Sequence, residues 1–139
     1  LSDRLEHLNL LRLMLPEPLR EKAVMIDGKM TGKKGKKARE QALADMRSGT
    51  KRYLFATYKL AKEGLDIPRL DRLYMTTPQK DEAIIIQSIG RIARRYPDKS
   101  QPICIDYIDN IPYCYGAWRK RKTAYNKKKC DYLSEEASK

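Results

Sequence analysis

The sequence predicts an α/β fold, in which a parallel β-sheet is covered by helices on both faces, within a single domain. Four short apolar runs are separated by segments with the 3.6-residue periodicity of helices. Each separating segment is long enough for the crossover that two parallel strands require. The 139 residues are enough for one hydrophobic core and too few for two ordinary domains.

The four predicted strands are short and end at turn signals. The third one alternates Leu73 and Met75 and ends before Pro78, a residue that cannot continue a central strand. The other three are the compact apolar runs that suit buried strands. We predict strands at residues 23–27, 53–57, 71–77 and 102–108.

The predicted helices begin and end at recognisable residues. Asp3 and Glu6 have the spacing of a capping box at the start of the first helix. Gly49 closes the second helix. Because the first helix pattern opens almost at Leu1, we expect the strand that should precede it to lie outside this sequence. We predict helices at residues 2–16, 36–47, 81–96 and 113–133.

The direction of the strands predicts where a ligand binds. In parallel sheets, ligands gather at the carboxyl ends of the strands. Three segments occupy that position: the turn after Asp27, the loop after Thr57 and the turn at residues 76–78. The turn after Asp27 is rich in glycine and lysine, but the phosphate-loop spacing G-x-x-x-x-G-K-[ST] does not occur in the chain.

Charge is concentrated in two segments. The composition, 41% hydrophobic and 35% charged, is that of a globular protein. The net charge is +12, and residues 29–39 and 119–129 hold six and seven cationic side chains without a carboxylate. Such blocks favour a polyanionic partner, nucleic acid first, over lysines that only keep a surface soluble. No apolar run reaches the roughly 20 residues of a membrane span, so we expect no membrane partner.

The cysteines indicate a reducing compartment. Cys104, Cys114 and Cys130 form neither a C-x-x-C pair nor an even disulfide set. With His7 as the single histidine, a zinc site of the usual spacing is not expected. Cys104 lies in an apolar run and is predicted to be a small core residue. We expect a cytoplasmic or nuclear protein.

The segment at residues 87–95, Gln-Ser-Ile-Gly-Arg-Ile-Ala-Arg-Arg, has an ordered polar stripe. On a helix, Gln87, Arg91 and Arg94 fall at i, i+4 and i+7 and gather on one line. Gly90 costs about 1 kcal/mol against alanine inside a helix, which suggests a backbone that is approached closely from outside. A solvated basic helix face is the alternative interpretation. The opposite face is predicted to be apolar, with Ile85, Ile86, Ile89, Ile92 and Ala93.

A second motif begins at the end of the second predicted strand. Residues 56–68 make a short helical turn that breaks at Gly64, where the chain can take a positive φ. Asp66 is then presented from a tight loop. Taken alone, this pattern is also that of an ordinary helix end with an exposed aspartate.

The two motifs together resemble those of superfamily-two helicases. Thr57 and the stretch Glu-Gly-Leu-Asp-Ile-Pro at residues 63–68 resemble motif V, and Gln-x-x-Gly-Arg-x-x-Arg at residues 87–94 resembles motif VI. The resemblance is closest to helicases of bacteriophages and large DNA viruses. It implies that residues 1–139 are the C-terminal, second RecA-like lobe of an ATP-dependent motor.

The resemblance implies a role for each matching residue in the nucleotide cleft. Arg91 and Arg94 would reach the γ-phosphate, where guanidiniums stabilise the charge of phosphoryl transfer. Gln87 would help to position these groups or the attacking water. Gly64 and Asp66 would approach the nucleotide, with Asp66 accepting a ribose hydroxyl. ATP and Mg²⁺ would be held mainly by the N-terminal lobe, so the chain alone is expected to be inactive as an ATP hydrolase.

The resemblance also implies contacts with the nucleic-acid backbone. Thr57 matches a backbone-contacting threonine, whereas Lys29 and Arg4 lie near such positions. Gln87 stands where DEAD-box RNA helicases have histidine, which favours DNA over RNA. Ala93 replaces a glycine of many relatives, and we expect little effect from it. The alternative function is a non-catalytic basic module that binds nucleic acid or a partner on a RecA-like scaffold.

The predicted terminal helix carries an interleaved aromatic and basic stripe. It could stack on bases and pair with phosphates. The commoner arrangement is an aromatic stripe packed on its own sheet, with lysines around it, and we favour that one. The stripe consists of Tyr115, Trp118, Lys122, Tyr125, Lys129 and Tyr132.

Overall fold

The structure is a computed structural model that describes residues 1–133. It contains four strands and six helices in the part described, and the alternation confirms the predicted α/β class. The strands are β1 (Ala23–Ile26), β2 (Tyr53–Ala56), β3 (Arg72–Met75) and β4 (Ile103–Asp106). The helices are α1 (Leu5–Met14), α2 (Glu17–Arg20), α3 (Gly32–Ser48), α4 (Tyr58–Lys62), α5 (Glu82–Ile92) and α6 (Pro112–Lys127).

The strands form two parallel pairs that are joined through the first two residues. β1 pairs with β2 and β3 pairs with β4, both in parallel. Between the pairs, Ser2 N donates to Ala56 O at 3.4 Å, and Thr76 N donates to Leu1 O at 3.0 Å. Ser2 also makes a parallel bridge with Thr57. Leu1 and Ser2 therefore occupy the central position of a parallel RecA-like sheet.

This topology defines two edges of the sheet. The carboxyl edge is formed by the residues that follow the strands, namely Asp27, Thr57, Thr76 and Tyr107. The opposite, amino edge is reached by the last turns of the crossover helices, which run back from the ends of the strands. All three segments that we predicted as ligand sites lie at the carboxyl edge.

Two of the predicted helix starts are wrong. Asp3 does not cap α1. Its neighbour Ser2 pairs with Thr57 in the sheet, and Asp3 N donates to Thr77 Oγ1 at 3.1 Å. The helix begins at Leu5, with Arg4 at the N-cap. α3 begins at Gly32, four residues before the predicted start. Its end is as predicted, with Gly49 at the C-cap in the left-handed region (φ +86°).

Two apolar clusters hold the elements together. One is built on β3, α5 and α6 and contains Met75, Ile85 and Ile89. The other is built on β1, β2 and α4 and contains Ile26 and Leu60. In parallel sheets the crossover helices bury the strands in this way. The position of α4 and α5 relative to the sheet is therefore fixed by apolar packing.

A buried ion pair anchors α6 at the carboxyl edge. Arg121 Nε donates to Asp106 Oδ2 at 2.6 Å, and its Nη1 donates to Gln79 O at 3.3 Å. Tyr125 OH donates to the same Asp106 oxygen at 2.6 Å. Burial acts against the charged form of Arg121, but the hydrogen bond and charge of Asp106 outweigh it and raise the pKa of the guanidinium. The pair ties α6 both to the end of β4 and to the loop before α5.

The terminal helix is shorter than predicted, and its aromatic stripe is divided. α6 ends at Lys127, and Lys129 adopts a positive φ of 54°, so the helix does not continue to Leu133. Trp118 packs against the core, with its ring centroid 5.9 Å from that of the buried Tyr125. Tyr115, by contrast, is exposed. The favoured inward packing therefore holds for only part of the stripe.

Candidate functional site

An open groove of about 340 Å³ lies at the carboxyl edge, between the turn after β1 and the start of α4. We call it the basic groove, because three cationic side chains, two hydroxyls and two carboxylates line it, which leaves the cations in excess. Cations and hydroxyls of this kind are the side chains that bind phosphate oxygens. Its polar side chains are those of Asp27, Thr31, Lys36, Arg39, Thr57, Lys59 and Glu63.

Local structure explains how the groove is lined. Lys36 and Arg39 are separated by three positions on α3, so their side chains lie on one face of that helix. Thr57 is the N-cap of α4, and its Oγ1 accepts a hydrogen bond from Leu60 N at 3.4 Å. The same cap places Lys59 in the first turn of α4, beside the groove.

Of the three residues that we predicted to contact the nucleic-acid backbone, one lines the groove and two lie outside it. Thr57 lines the groove. Lys29 is exposed on the adjoining turn, where its backbone N–H donates to Asp27 Oδ1 at 2.7 Å, and it does not line the groove. Arg4 is exposed at the N-cap of α1, at the same edge but outside the groove. Sequence reasoning missed Lys59 and named Arg39 only as part of a basic block.

A second cluster of charged side chains surrounds the loop after α4. The guanidinium of Arg94 forms an ion pair with the carboxylate of Asp66, and both side chains are substantially exposed (41% and 60%). Arg47 Nε donates to Asp66 O at 2.8 Å. Lys99 Nζ donates to Pro68 O at 2.9 Å and to Arg94 O at 2.7 Å. We call this set the arginine cluster.

The arginine cluster lies away from the basic groove. Arg47 is in the last turn of α3, and Arg94 follows the end of α5. Both helices run back from the carboxyl edge, so their ends place Asp66 toward the amino edge. The structure thus brings together Asp66 and Arg94, and it separates them from Thr57 by the length of α4.

The polar stripe on α5 is interrupted, which corrects the sequence prediction. α5 ends at Ile92, with Ala93 at the C-cap, so Arg94 is not on the helix with Gln87 and Arg91. Pro97 disfavours helical backbone for the residue before it, and the ion pair with Asp66 together with the Lys99 hydrogen bond holds the departing chain. Ala93 is exposed and does not belong to the apolar face.

The side chains that remain on α5 differ in burial. Gln87 is exposed. Arg91 is half-buried, and its Nε is buried without a hydrogen-bond partner within residues 1–133. Ile85, Ile89 and Ile92 are buried, as predicted for the opposite face. The helix therefore presents Gln87 and part of Arg91 outward while its isoleucines fix it on the sheet.

The two motif glycines differ in what they require. Gly64 adopts φ +115°, which confirms the predicted positive φ after α4. Apart from its chain neighbours and the backbone of α5 itself, a Cβ built on Gly90 meets no described atom within 4 Å. No described element of the chain itself therefore approaches Gly90, and the predicted close approach from outside stays a prediction.

Other potential sites contribute little in residues 1–133. No group of three or more His, Cys, Asp or Glu side chains in this range could hold a metal ion. None of the helices in the same range is long and apolar enough to cross a membrane. Cys104 packs partly buried against the core, and burial is the largest of the influences that raise the pKa of its thiol to about 12.

Comparison with known proteins identifies the family. The family model named the helicase conserved C-terminal domain matches residues 3–96, which is more than half of the chain. The chain belongs to this family. The match in this helicase C-terminal domain includes the basic groove, Asp66, Arg91 and Arg94, and it ends before β4 and α6.

One curated relative of this helicase C-terminal domain comes from a large virus. Over 63 residues, 45% of the chain, the sequence is 38% identical to a protein of Acanthamoeba polyphaga mimivirus that is provisionally named an ATP-dependent RNA helicase. The chain covers 12% of the length of that protein. These findings confirm the predicted helicase C-terminal domain, and the relative agrees with the resemblance to helicases of large DNA viruses.

Replacing the two motif glycines should have opposite effects on stability. Gly64→Ala should lower the thermal midpoint of this helicase C-terminal domain, because a side chain at φ +115° costs at least about 1 kcal/mol. Gly90→Ala should raise it by about 2–4 °C, because alanine is favoured in helices by about 1 kcal/mol and the Cβ meets open space. Thermal unfolding followed by circular dichroism measures both. A fall for Gly90→Ala would show that Gly90 is packed within the chain.

Proposed function

We propose that the chain is the C-terminal motor lobe of an ATP-dependent nucleic-acid helicase or translocase of superfamily two. The observation that carries the proposal is the exposed Arg94–Asp66 pair in the loop after α4, with the basic groove lying along α4 from its N-cap Thr57 to Glu63. A motor needs a nucleotide contact and a nucleic-acid contact on one rigid lobe. The family membership of residues 3–96 supports the assignment.

The arginines are proposed to act on ATP bound by another RecA-like lobe. Guanidiniums bind phosphate oxygens in a fork, and Arg91 has a buried Nε without a partner in residues 1–133. Arg94 would exchange Asp66 for the γ-phosphate, which would free Asp66 to accept a ribose hydroxyl beside Gly64. Gln87, exposed on the same helix as Arg91, would help to position the attacking water or the arginines.

The chain's own residues do not provide a metal site for this reaction in the range described. Since no carboxylate cluster occurs in residues 1–133, we propose that Mg²⁺ is held by the nucleotide phosphates and the other lobe. Mg²⁺ would neutralise charge on the phosphates. The sequence also has no phosphate-loop pattern. We therefore expect no appreciable ATP turnover from the 139-residue chain alone.

The helix α4 is the proposed link between the two sites. Its N-cap, Thr57, lines the basic groove, and the loop that follows its C-terminus presents Asp66. α4 has five residues, so about 7.5 Å of helix separates the two. When Arg94 leaves Asp66, the loop is held less tightly, and α4 can shift the hydroxyl and N–H groups that face the nucleic acid. ATP binding and release would then move the strand.

The kind of nucleic acid is a finer proposal. Gln87 favours DNA through the resemblance to helicase motif VI, whereas the mimivirus relative carries the name of an RNA helicase. We propose DNA, with a cytoplasmic or nuclear location in keeping with three unpaired cysteines. Competition between DNA and RNA strands of the same sequence decides between the two.

A non-catalytic module is the second candidate. The observation that favours it is that Arg94 already has a partner in Asp66, so the arginine can be explained by stabilisation of the loop alone. In that case Arg94 would contribute to folding and not to turnover.

Replacing Arg94 separates these candidates. In the polypeptide that combines this lobe with its nucleotide-binding lobe, Arg94→Ala should lower ATP turnover by about 10³-fold, as loss of an arginine finger does. Arg94→Lys should not restore it, because an ammonium lacks the forked geometry. Steady-state ATPase at saturating nucleic acid is the measurement.

Arg95→Ala is the matched control for this experiment. Arg95 is the exposed neighbour of Arg94, and the same charge is removed without touching the ion pair. Its turnover should stay near wild type. Turnover of Arg94→Ala within about threefold of wild type, well below the tenfold effect of 1.4 kcal/mol, would contradict the motor assignment of Arg94 and support the non-catalytic module.

Binding of single-stranded nucleic acid should depend on the basic groove. The double variant Lys36→Ala/Arg39→Ala of the 139-residue chain should bind a fluorescent oligonucleotide more weakly. The slope of log affinity against log salt should fall by about 1.4, because each phosphate that a cation no longer neutralises lowers it by about 0.7. Anisotropy titrations at several salt concentrations measure both quantities.

The double variant Lys22→Ala/Arg52→Ala is the control for charge. These residues are exposed and precede β1 and β2, so they lie at the amino edge. This variant removes the same net charge at a place away from the groove, so the slope of log affinity against log salt should stay nearly unchanged. Equal losses in the two double variants would show that binding follows net charge and does not use the groove.

A further inference from the structure

Several exposed tyrosines follow β4 and open α6, beyond the residues that match the family. Tyr107, Tyr113 and Tyr115 are 55%, 60% and 45% exposed, and we call them the tyrosine surface. The family match ends at residue 96. Ile108 and Ile111, which lie between Tyr107 and Tyr113 in the chain, are exposed as well. Aromatic and apolar side chains grouped in this way on a surface commonly mark a binding site.

The tyrosine surface is held in place by contacts beneath it. The inward side of α6 is occupied by Trp118, Tyr125 and Arg121, which pack on the core or bind Asp106. Tyr107 N donates to Met75 O at 3.2 Å and so fixes the end of β4. The rings therefore stand on a rigid base, and a ligand that stacks on them need not order the backbone first.

Two of the tyrosines also have contacts that fix their side chains. Tyr115 OH donates to Asn110 Oδ1 at 2.8 Å. Lys80 Nζ lies 3.9 Å from the centroid of the Tyr113 ring, which is a cation–π contact. Lys80 belongs to the loop after β3, so a cation is held on the face of an exposed ring at the carboxyl edge. This combination of ring and cation matches a nucleotide, which has an aromatic base and a phosphate.

The tyrosine surface and the basic groove lie in one row. Both follow the carboxyl ends of strands, the groove at β1 and β2 and the tyrosines at β4. From β2 to β4 the row crosses the central position of Leu1–Ser2 and β3, which is three strand spacings or about 14 Å. A nucleic-acid strand with a rise of about 3.4 Å covers this distance in about four nucleotides.

The charge around the tyrosine surface favours a polyanion over an acidic partner protein. Residues 107–133 contain seven cationic side chains, all in α6 or just after it, and six of them remain when the buried Arg121 is set aside. The same residues, 107–133, include two carboxylates, Asp109 and Asp131. Asp106, at the end of β4, is already paired with Arg121.

We propose that the tyrosine surface stacks on bases of a single strand whose phosphates pass through the basic groove. The inference rests on the proposed nucleic-acid function and extends it to a second contact point outside the family-matched residues. Stacking on tyrosine is tolerant of base and sugar, so the surface would serve DNA and RNA strands alike. It would lengthen the strand that the lobe holds by about four nucleotides.

Oligonucleotides of two lengths test the proposal on the 139-residue chain. Labelled oligothymidylates of about 2 nucleotides, which are too short to reach from the groove to the tyrosines, and of about 12 nucleotides are titrated at low salt. Tyr107→Ala/Tyr113→Ala should weaken binding of the long strand about tenfold, or about 1.4 kcal/mol, and leave the short strand unchanged. The salt slope should stay the same, because stacking releases no counterions, whereas the groove variant Lys36→Ala/Arg39→Ala lowers it. Tyr107→Phe/Tyr113→Phe keeps the rings and should bind like wild type.

Tyr96→Ala is the matched control. Tyr96 is 43% exposed and follows α5, so it lies toward the amino edge, away from the proposed row. Its affinity for both strands should equal that of wild type. Urea unfolding of every variant checks that a loss of binding is not a loss of fold.

Each remaining outcome overturns a defined part of the proposal. If the alanine pair binds the long strand like Tyr96→Ala while the groove variant loses affinity, the tyrosine surface does not bind nucleic acid and the proposed function stands. If wild type binds neither strand at low salt, the nucleic-acid function fails together with the inference. An equal loss for both lengths would contradict the proposed row. A concentration-dependent dimer that is lost only in the alanine pair, with unchanged oligonucleotide affinity, would assign the surface to a second copy of the chain.

Discussion

The parallel hydrogen bonding of the central backbone determines how the functional residues are arranged. Leu1 and Ser2 bond to Ala56 on one side and to Thr76 on the other, so both pairs of strands point in the same direction. As a consequence, every strand ends at the carboxyl edge, and every crossover helix returns toward the amino edge. The groove, the capped start of α4 and the tyrosine surface share one edge for this reason. Asp66 and Arg94 meet at the far end of the helices.

The Arg94–Asp66 pair connects folding with the proposed chemistry. The two groups that the helicase resemblance assigns to the nucleotide are each other's partners in this lobe. Exposed ion pairs contribute only about 0–1 kcal/mol, so an incoming phosphate could replace Asp66 at small cost. The loop would still be held by Arg47 through Asp66 O and by Lys99 through Pro68 O. The Arg94–Asp66 pair is therefore a weak, exchangeable contact, and its loss leaves the loop with fewer restraints, as the proposed shift of α4 requires.

The sequence was sufficient to predict the order of the four strands, the order of the helices other than the short α2, and the two motifs. Apolar runs and helical periodicity are local signals, and they located β1 to β4 and Gly64 correctly. The start of α1 was wrong because Ser2 bonds to a strand more than fifty residues away, which no local pattern records. The end of α5 was wrong because a tertiary contact, Arg94 with Asp66, competes with continued helix.

The site, too, could be predicted only where local sequence signals mark it. Thr57, Asp66 and Arg94 belong to motifs with a characteristic spacing, and the chain positions them as separate contact points. The groove could not be foreseen from residue types, because Lys36, Arg39 and Lys59 meet only after α3 folds back beside the start of α4. The i, i+3 spacing of Lys36 and Arg39 was the one signal available for it.

Amide hydrogen exchange of the chain with and without a single-stranded oligonucleotide tests the central claim most directly. The claim is that nucleic acid binds along the carboxyl edge and that the arginine cluster serves a different ligand. We predict slower exchange in residues 27–39, 57–60 and 107–115, with little change in residues 64–66 and 93–96. Protection concentrated in residues 64–66 and 93–96, with none along the carboxyl edge, would contradict the claim.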